Sequence, residues 1–270
     1  MAEPVDEVQD FSPFWHQMLS TEHPMLRRGR QLFRLLSPTA TDRCRLCYAG
    51  FDGFTAPALR LIGRGRWRRN PHVCEKCETV FAEKRGGTEL DIAVLYADVR
   101  GSTQIAAQMR PAEFARLMQR FFRTATTVFD RSDAIVDKMV GDEVIALYLP
   151  GLAGPGYRKC AIDDGLELLR VTGHADPQGP WLPIGVGVHA GKAFVGSIGI
   201  EGGNYQFTAL GDAMNFGARL VSAAGRGEMI VSKAALEGAG DDLAVEHRSL
   251  ELKGYPGPVD AHVARVASKR

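Results

Sequence analysis

A chain of 270 residues with 45% hydrophobic and 24% charged residues has the composition of a soluble globular protein with one large and one small domain. Its formal net charge of +1 gives no overall electrostatic attraction to nucleic acid or to a membrane surface. No apolar run approaches the roughly 18 residues that a membrane span needs, and the acidic N-terminus lacks a signal-peptide pattern, so we expect a cytoplasmic protein.

The N-terminal segment, residues 1–39, is expected to be helical. Apolar side chains recur at helical spacing between Phe11 and Leu36, and Pro24 divides the stretch into two pieces. This pattern favours packing against the rest of the protein or against a dimer partner. A membrane-surface helix is the alternative, but the apolar stripe is short and broken.

Residues 40–86 carry two matched Cys-x-x-Cys pairs and little hydrophobic periodicity. The pairs are Cys44 with Cys47 and Cys74 with Cys77. The segment is too small to bury a good core unaided, and two such pairs commonly hold one tetrahedral metal ion. Cytoplasmic thiols stay reduced, which disfavours disulfides. Zinc is therefore expected, and an iron–sulfur cluster on the same four thiolates is the alternative.

Three other features of this region bear on the cysteines. Several arginines between the two pairs would offset the negative charge of four thiolates: Arg60, Arg64, Arg66, Arg68 and Arg69. A solvated loop is the plain alternative, and nucleic-acid contact has only weak support from one Trp67, so nucleic acid is not an expected partner. A short helix from Glu78 to Lys84, ended by Gly86-Gly87, is expected to connect the cysteines to the next domain. The unpaired Cys160 is expected to be a small core residue.

Residues 87–270 show the pattern of an α+β domain. Ile92–Tyr96 is a continuous apolar run typical of a central strand, and Pro111 opens a helix that extends to Phe129. Further strands are expected at 134–140 and 144–149, around Gly141-Asp142, and at 184–189 and 193–198, around Gly191. Further helices are expected at 161–171 and 212–223. This order predicts a ferredoxin-like fold, βααββαβ, with an antiparallel-rich sheet.

Two carboxylates stand at the ends of expected strands. Asp98 follows the first strand, and Asp142 lies in the first hairpin. A ferredoxin-like sheet places that strand beside that hairpin, so the two side chains are expected to face each other. Paired carboxylates suit Mg²⁺, with triphosphate oxygens and water completing the octahedron. Either aspartate alone would be an ordinary turn residue.

A polar pair lies on the helix expected at 212–223. Asn215 and Arg219 are four residues apart and therefore share one face. An amide and a guanidinium on one exposed face can clamp a ribose and the negative charge that develops on a reacting phosphate. In isolation the pair would be an ordinary solvated surface.

Residues from about 89 to 263 resemble a class III nucleotidyl cyclase domain. The matching stretches are VLYADVRGST, DKMVGDEVIALY, GVGVHAGKAFVGSIG and TALGDAMNFGARL. These motifs are long and ordered along the whole domain, so they are far more specific than a single glycine-rich loop. The resemblance implies conversion of a nucleoside triphosphate to a cyclic nucleotide and pyrophosphate, with two Mg²⁺ or Mn²⁺ ions per active site. It also implies a head-to-tail homodimer in which each site takes residues from both chains.

The resemblance assigns a role to each matching residue. The metal ligands are Asp98, Asp142 and the backbone carbonyl of Val99. Asn215 and Arg219 form the transition-state pair, which the partner chain contributes. The terminal phosphates are assigned to Lys253. Lys192 is a second phosphate-binding candidate, and a solvated surface lysine is an equally open interpretation of it.

Lys138 and Thr208 match the pair that selects the base. Adenylate-type members resemble this chain in having lysine at the first position and aspartate or threonine at the second, whereas guanylate-type members usually have glutamate and cysteine. We therefore expect an adenylate cyclase that uses ATP, regulated by the cysteine segment. A hydroxyl both donates and accepts, so Thr208 discriminates less sharply than a carboxylate. A cyclase for another nucleotide and an inactive nucleotide-binding module are the alternatives.

Overall fold

The computed structural model describes residues 10–20, 24–44, 46–67, 73–199, 205–237 and 243–267. The chain divides into two compact units, and the first combines residues 1–90 with residues 194–208. The second unit contains residues 91–193 and 209–270. Arg68 and Arg69, two of the arginines expected to offset the thiolate charge, lie outside the described residues.

The first unit contains the expected pair of N-terminal helices and two further helices. They are α1 (Ser12–Ser20), α2 (Pro24–Leu36), α3 (Ala56–Leu61) and α4 (Glu75–Glu83). Helix α1 buries Trp15, Met18 and Leu19, which share one face because they are three and four residues apart. Phe33 of α2 is buried as well, whereas Leu32, Leu35 and Leu36 are exposed, so the expected packing holds for α1 and only in part for α2.

The connecting helix differs from its prediction at both ends. Helix α4 begins directly after Cys74, which occupies the N-cap position, and Lys84 follows its last residue. Gly86 and Gly87 do not end the helix, because they already belong to the first strand. The prediction placed the helix too late because it took the glycine pair as a helix stop.

The strands of the described residues form one mixed sheet. Its strands are β1 (Gly86–Val99), β2 (Ile135–Val140), β3 (Glu143–Tyr148), β4 (Ile184–Gly199), β5 (Tyr205–Leu210), β6 (Met229–Ser232), β7 (Glu246–Glu251) and β8 (Pro258–Ala264). The strand order is β2-β3-β1-β4-β6-β8-β7, with β5 paired to β4. Strands β1 and β3 are antiparallel, whereas β4 and β6 are parallel.

Six helices accompany these strands. They are α5 (Ser102–Ala107), α6 (Pro111–Arg131), α7 (Pro150–Ala153), α8 (Tyr157–Val171), α9 (Asp212–Ala223) and α10 (Lys233–Leu236). The element order along the chain confirms the predicted ferredoxin-like α+β fold. Among the residues that the structure describes, no helix has both the length and the apolar character that crossing a bilayer requires.

The expected division into two strands around Gly191 is wrong. Strand β4 runs without interruption from Ile184 to Gly199, and Gly191 lies within it. Strand β5, which pairs with β4, was not foreseen by the sequence analysis. The sequence analysis took the glycine between two apolar runs as a boundary between strands, although it lies in a continuous strand.

The sheet of the second unit is covered on both faces. Leu95 belongs to the main core, together with Phe121 and Phe129 of α6 and Leu168 of α8. Tyr96 points the other way, toward α9, because successive strand residues alternate between faces. Cys160 packs at the edge of the main core, as expected.

Two glycines set the distance between α9 and the sheet. A Cβ at Gly187 of β4 would lie 2.4 Å from the backbone nitrogen of Val221. A Cβ at Gly217 of α9 would lie 2.8 Å from the Tyr96 ring. Real Cβ atoms do not approach neighbours this closely, so both positions require glycine for the helix to lie where it does.

Candidate active site

The carboxylates at the strand ends lie together. Asp98 is the register partner of Glu143 across the β1–β3 ladder. The backbone N–H of Val99 donates to the carbonyl oxygen of Asp142 at 3.3 Å. The structure therefore brings Asp98, Val99 and Asp142 to one end of the sheet, where the sequence analysis expected them.

Arg100 forms an ion pair with Asp98 at the same end of the sheet. Its Nη2 lies 2.5 Å from Oδ1 of Asp98, and its Nε donates to the Asp98 carbonyl oxygen at 3.3 Å. Burial raises the pKa of Asp98, Arg100 opposes this effect, and the neighbouring charge of Asp142 adds to it. Arg100 therefore stabilises a carboxylate that burial would otherwise favour in its protonated form.

Glu143 is a third carboxylate of this cluster. Burial, followed by the charges of Asp98 and Asp142, raises its pKa to about 7. Three acidic side chains at one strand end repel one another, and a divalent cation relieves that repulsion. Their oxygen-rich donor set fits Mg²⁺ or Mn²⁺. The sequence analysis missed both Glu143 and Arg100, although each is adjacent in sequence to a residue that it identified.

Helix α9 presents the predicted polar pair. Asn215 and Arg219 are both exposed and lie one turn apart. The hydroxyl of Tyr96 donates to the carbonyl oxygen of Met214 at 2.9 Å, next to Asn215. A buried hydrogen bond from the sheet therefore fixes the part of the helix that carries the pair.

The β7–β8 turn approaches the same helix. The Tyr255 hydroxyl donates to Oδ1 of Asp212 at 2.7 Å, and its ring packs edge-on against Phe216 with centroids 5.0 Å apart. Burial, followed by Asp212, raises the pKa of Tyr255 to about 12, and the charge of Arg219 opposes the rise. Lys253 is exposed two residues before Tyr255, so its loop is anchored beside the helix of Asn215 and Arg219.

The remaining candidates lie on three strands. Lys138 of β2 is partly exposed, and its Nζ lies 3.3 Å from Oδ2 of the buried Asp137. Lys192 is exposed on β4. Thr208 of β5 is buried and belongs to the first unit, whereas Lys138 and Lys192 belong to the second.

The four predicted cysteines converge in the first unit. The sulfur atoms of Cys44, Cys47, Cys74 and Cys77 all lie within 4.8 Å of one another. Cys47 Sγ and Cys74 Sγ are 3.7 Å apart. A tetrahedral zinc ion with Zn–S bonds of about 2.3 Å places its sulfurs about 3.8 Å apart. The cluster therefore fits a single tetrahedral ion.

Arg64 reaches the cysteine cluster. Its Nη1 lies 3.7 Å from Sγ of Cys74 and 3.7 Å from Sγ of Cys77. Its guanidinium also lies 5.1 Å from the ring centroid of Phe33 in α2. Four thiolates on a divalent ion carry net negative charge, so Arg64 is placed to offset part of it.

Comparison with known proteins agrees with this geometry. The family described as "Adenylate and Guanylate cyclase catalytic domain" matches residues 87–263. The crystal structure of the guanylyl cyclase Cya2 superimposes with a TM-score of 0.60 at 26% identity, covering 67% of this chain and 94% of that one. The adenylyl cyclase CyaB from P. aeruginosa gives a TM-score of 0.59 at 23% identity, covering 67% and 96% of the two chains, and shows the shared fold.

Curated relatives match over a similar range. The uncharacterized protein Rv1318c of Mycobacterium tuberculosis is 28% identical over 218 residues, which are 77% of this chain and 39% of that protein. The uncharacterized protein Rv1320c of the same organism is 26% identical over 182 residues, 65% of this chain and 31% of that one. The chain thus spans well under half the length of these relatives.

The family match and the fold shared with solved cyclase domains identify residues 87–263 as a class III nucleotidyl cyclase catalytic domain. Because the family match covers more than half of the sequence, the chain belongs to the adenylate and guanylate cyclase catalytic domain family. The resemblance noted in the sequence is confirmed at this level.

The raised pKa values of Asp98 and Glu143 predict pH-dependent metal binding. A carboxyl group with a raised pKa holds its proton to higher pH, and that proton competes with the cation. We expect Mn²⁺ affinity to rise about fivefold or more between about pH 6 and about pH 8. Electron paramagnetic resonance of free Mn²⁺, in the presence of a non-cyclisable ATP analogue, measures the affinity.

The matched variant is Glu143→Gln, which keeps the side-chain shape and removes the titrating charge. It should bind Mn²⁺ more weakly at the higher pH and show a flatter pH dependence. A pH dependence as steep as that of the unmodified protein would contradict this role of Glu143.

Proposed function

We propose that the protein is an adenylate cyclase that converts ATP to 3′,5′-cyclic AMP and pyrophosphate. The observation that carries the proposal is the juxtaposition of Asp98 and Asp142 at the sheet end, in a chain that also presents Asn215 and Arg219 on one exposed helix face. Lys138 and Thr208 favour ATP over GTP as the substrate. The chain is similar to both adenylyl and guanylyl cyclases, so the similarity is compatible with ATP or GTP as the substrate. The choice of ATP in this proposal therefore rests on Lys138 and Thr208.

Asp98, Asp142 and the Val99 carbonyl would hold two Mg²⁺ or Mn²⁺ ions. Such ions lower the pKa of a bound ribose hydroxyl and neutralise the charge of a triphosphate. Arg100 holds the Asp98 carboxylate in its charged form, as ligation requires. Asp98 also has Glu143 as its cross-strand neighbour, which adds negative charge to the site.

The other polar residues would position the nucleotide. Asn215 would orient the ribose, and Arg219 would stabilise negative charge that develops on the α-phosphate during in-line attack by the 3′-hydroxyl. Lys253 would bind the terminal phosphates, with Lys192 as a second candidate. The nitrogen of Lys138 and the hydroxyl of Thr208 would meet the edge of the adenine ring. Catalysis of this kind depends mainly on positioning and charge stabilisation.

The active unit would be a head-to-tail homodimer with two equivalent sites. In this arrangement one chain contributes Asp98 and Asp142, and its partner contributes Asn215, Arg219 and the base-selecting residues. A single chain carries both halves, so two copies of the same chain supply two complete sites.

We also propose that the cysteine cluster holds one zinc ion. The mutual distances of the four sulfurs support a single ion, because a multi-iron cluster spreads its thiolates over several metal atoms and needs a wider cage. The ion would fold a segment that has little core of its own. It would also fix the start of α4, since Cys74 is the N-cap and Cys77 lies in the first turn.

Product analysis tests the substrate. With Mn²⁺, the protein should form cyclic AMP from ATP and prefer ATP to GTP in competition. Lys138→Glu should lower kcat/KM for ATP about tenfold or more, because a hydrogen bond to a charged group is lost. Lys159→Glu, a charge reversal on the exposed face of α8, is the control and should leave the preference unchanged. Cyclic GMP as the main product would overturn the adenylate assignment.

Mixing experiments test the shared site. Asp98→Ala and Arg219→Ala chains should each be inactive, whereas an equimolar mixture should recover about a quarter of the unmodified activity. Half of randomly paired dimers are mixed, and each mixed dimer has one complete site. Mixed dimers that form, as native mass spectrometry shows, but remain inactive would refute the shared-site arrangement.

Metal analysis tests the cysteine cluster. Purified without air, the protein should be colourless and contain one zinc per chain by atomic emission, and Cys47→Ser should lose most of it. Cys160→Ser removes a thiol outside the cluster and should retain the zinc. Bound iron with visible charge-transfer bands would contradict the zinc assignment and indicate an iron–sulfur cluster.

A further inference from the structure

Helix α1 is attached to the end of helix α4 within the first unit. The indole N–H of the fully buried Trp15 donates to the carbonyl oxygen of Lys84 at 2.9 Å. The ammonium group of Lys84 lies 4.7 Å from the Phe11 ring centroid and 5.0 Å from that of Phe14. One indole and two neighbouring rings thus hold both the backbone and the side chain of the residue that ends α4.

Helix α4 continues directly from the cysteine cluster. Cys74 occupies its N-cap, Cys77 lies in its first turn, and Lys84 follows its last residue. Nine residues of helix form a rigid rod, so a displacement at the cysteines is transmitted to Lys84. The hydrogen bond from Trp15 then transmits it to α1.

The other side of Trp15 meets the strand of the base-selecting threonine. The rings of Trp15 and Phe207 have centroids 6.0 Å apart and planes inclined by 31°. Phe207 precedes Thr208 on β5, so the two side chains point to opposite faces of the strand. A shift of the strand at Phe207 therefore moves Thr208 through the backbone.

The division of the chain into compact units also associates Thr208 with the N-terminal helices. Residues 194–208 lie inside the family match, yet they cluster with residues 1–90 rather than with the remainder of the cyclase domain. The strand end that carries Thr208 thus shares a compact unit with the N-terminal helices and the cysteine cluster.

We propose that Trp15 is a positioning residue for the base-selecting strand, linking helix α4 and its cysteine cluster to Thr208. The inference rests on the proposed role of Thr208 in nucleotide recognition. Trp15 touches no nucleotide itself. It holds Phe207, and through the backbone of β5 it holds the hydroxyl that meets the base.

The expected effect is selective. A misplacement near 1 Å costs about a hundredfold in rate when a group must meet its partner at hydrogen-bond distance. Loosening β5 should therefore weaken recognition of the base, while Asp98, Asp142 and Arg219 keep their places in the second unit. The selectivity for ATP over GTP should fall, and KM for ATP should rise more than kcat falls.

Two substitutions separate the contacts of Trp15. Trp15→Phe keeps an aromatic ring beside Phe207 and removes the N–H that binds Lys84, whereas Trp15→Leu removes both contacts. The ratio of kcat/KM for ATP to that for GTP should fall about threefold in the first and about tenfold or more in the second. Leu19→Ala truncates another fully buried residue of the same helix and serves as the control. It should lower the melting temperature and leave the ratio unchanged.

Hydrogen exchange gives a readout that needs no catalysis. Backbone amides of residues 205–210 should exchange faster in Trp15→Leu than in Leu19→Ala, measured by mass spectrometry on the full chain at equal distance below each melting temperature. Faster exchange there supports the link even if the protein proves inactive as an adenylate cyclase, which would overturn only the proposed function. Unchanged exchange at 205–210 overturns the proposal, and so does an equal loss of activity toward ATP and GTP in both Trp15 variants.

Discussion

The close approach of helix α9 to the sheet is the constraint on which the candidate active site depends. Gly187 and Gly217 allow the helix backbone to lie where any side chain would collide with Val221 or the Tyr96 ring. Forcing an extra methyl group into such contacts typically costs about 1–3 kcal/mol and moves the backbone. The hydroxyl of Tyr96 then reaches the Met214 carbonyl, which sets the turn that carries Asn215. The candidate catalytic groups on the exposed face of α9 are thus held by buried contacts on its opposite face.

Asp98, Asp142 and Glu143, the carboxylates at the end of the sheet, repel one another. Burial raises the pKa values of Asp98 and Glu143, and their charges oppose one another. Arg100 provides one positive charge, with a side chain only 19% exposed, and this charge stabilises Asp98 in its ionised state. One guanidinium does not neutralise three carboxylates, so the cluster retains affinity for a further cation. That imbalance supports the proposed binding of divalent cations at this end of the sheet.

Much of this architecture could be predicted from the sequence, because its signals are local. The apolar run at Ile92–Tyr96 and the turn at Gly141-Asp142 identified the central strand and the hairpin, and the fold type placed Asp98 beside Asp142. Gly191 was misinterpreted because a glycine between apolar runs resembles a turn, and only the pairing of β4 shows that the strand continues. Glu143 was missed because its importance arises from its cross-strand register with Asp98. Arg100 was missed because its role depends on a side-chain ion pair with Asp98 that no sequence motif marks. The contact of Trp15 with Phe207 joins residues nearly two hundred positions apart, and no local pattern reports it.

In the proposed dimer, the hydrogen bond from Tyr96 to Met214 would connect elements that belong to two different active sites. Strand β1 carries Asp98 at its end and Tyr96 two residues earlier, and Tyr96 holds helix α9 of the same chain. In a head-to-tail dimer, Asp98 of one chain serves one site, whereas α9 of that chain serves the other. The segment that would present the metal ligands of one site would therefore also anchor the proposed transition-state pair of the other site.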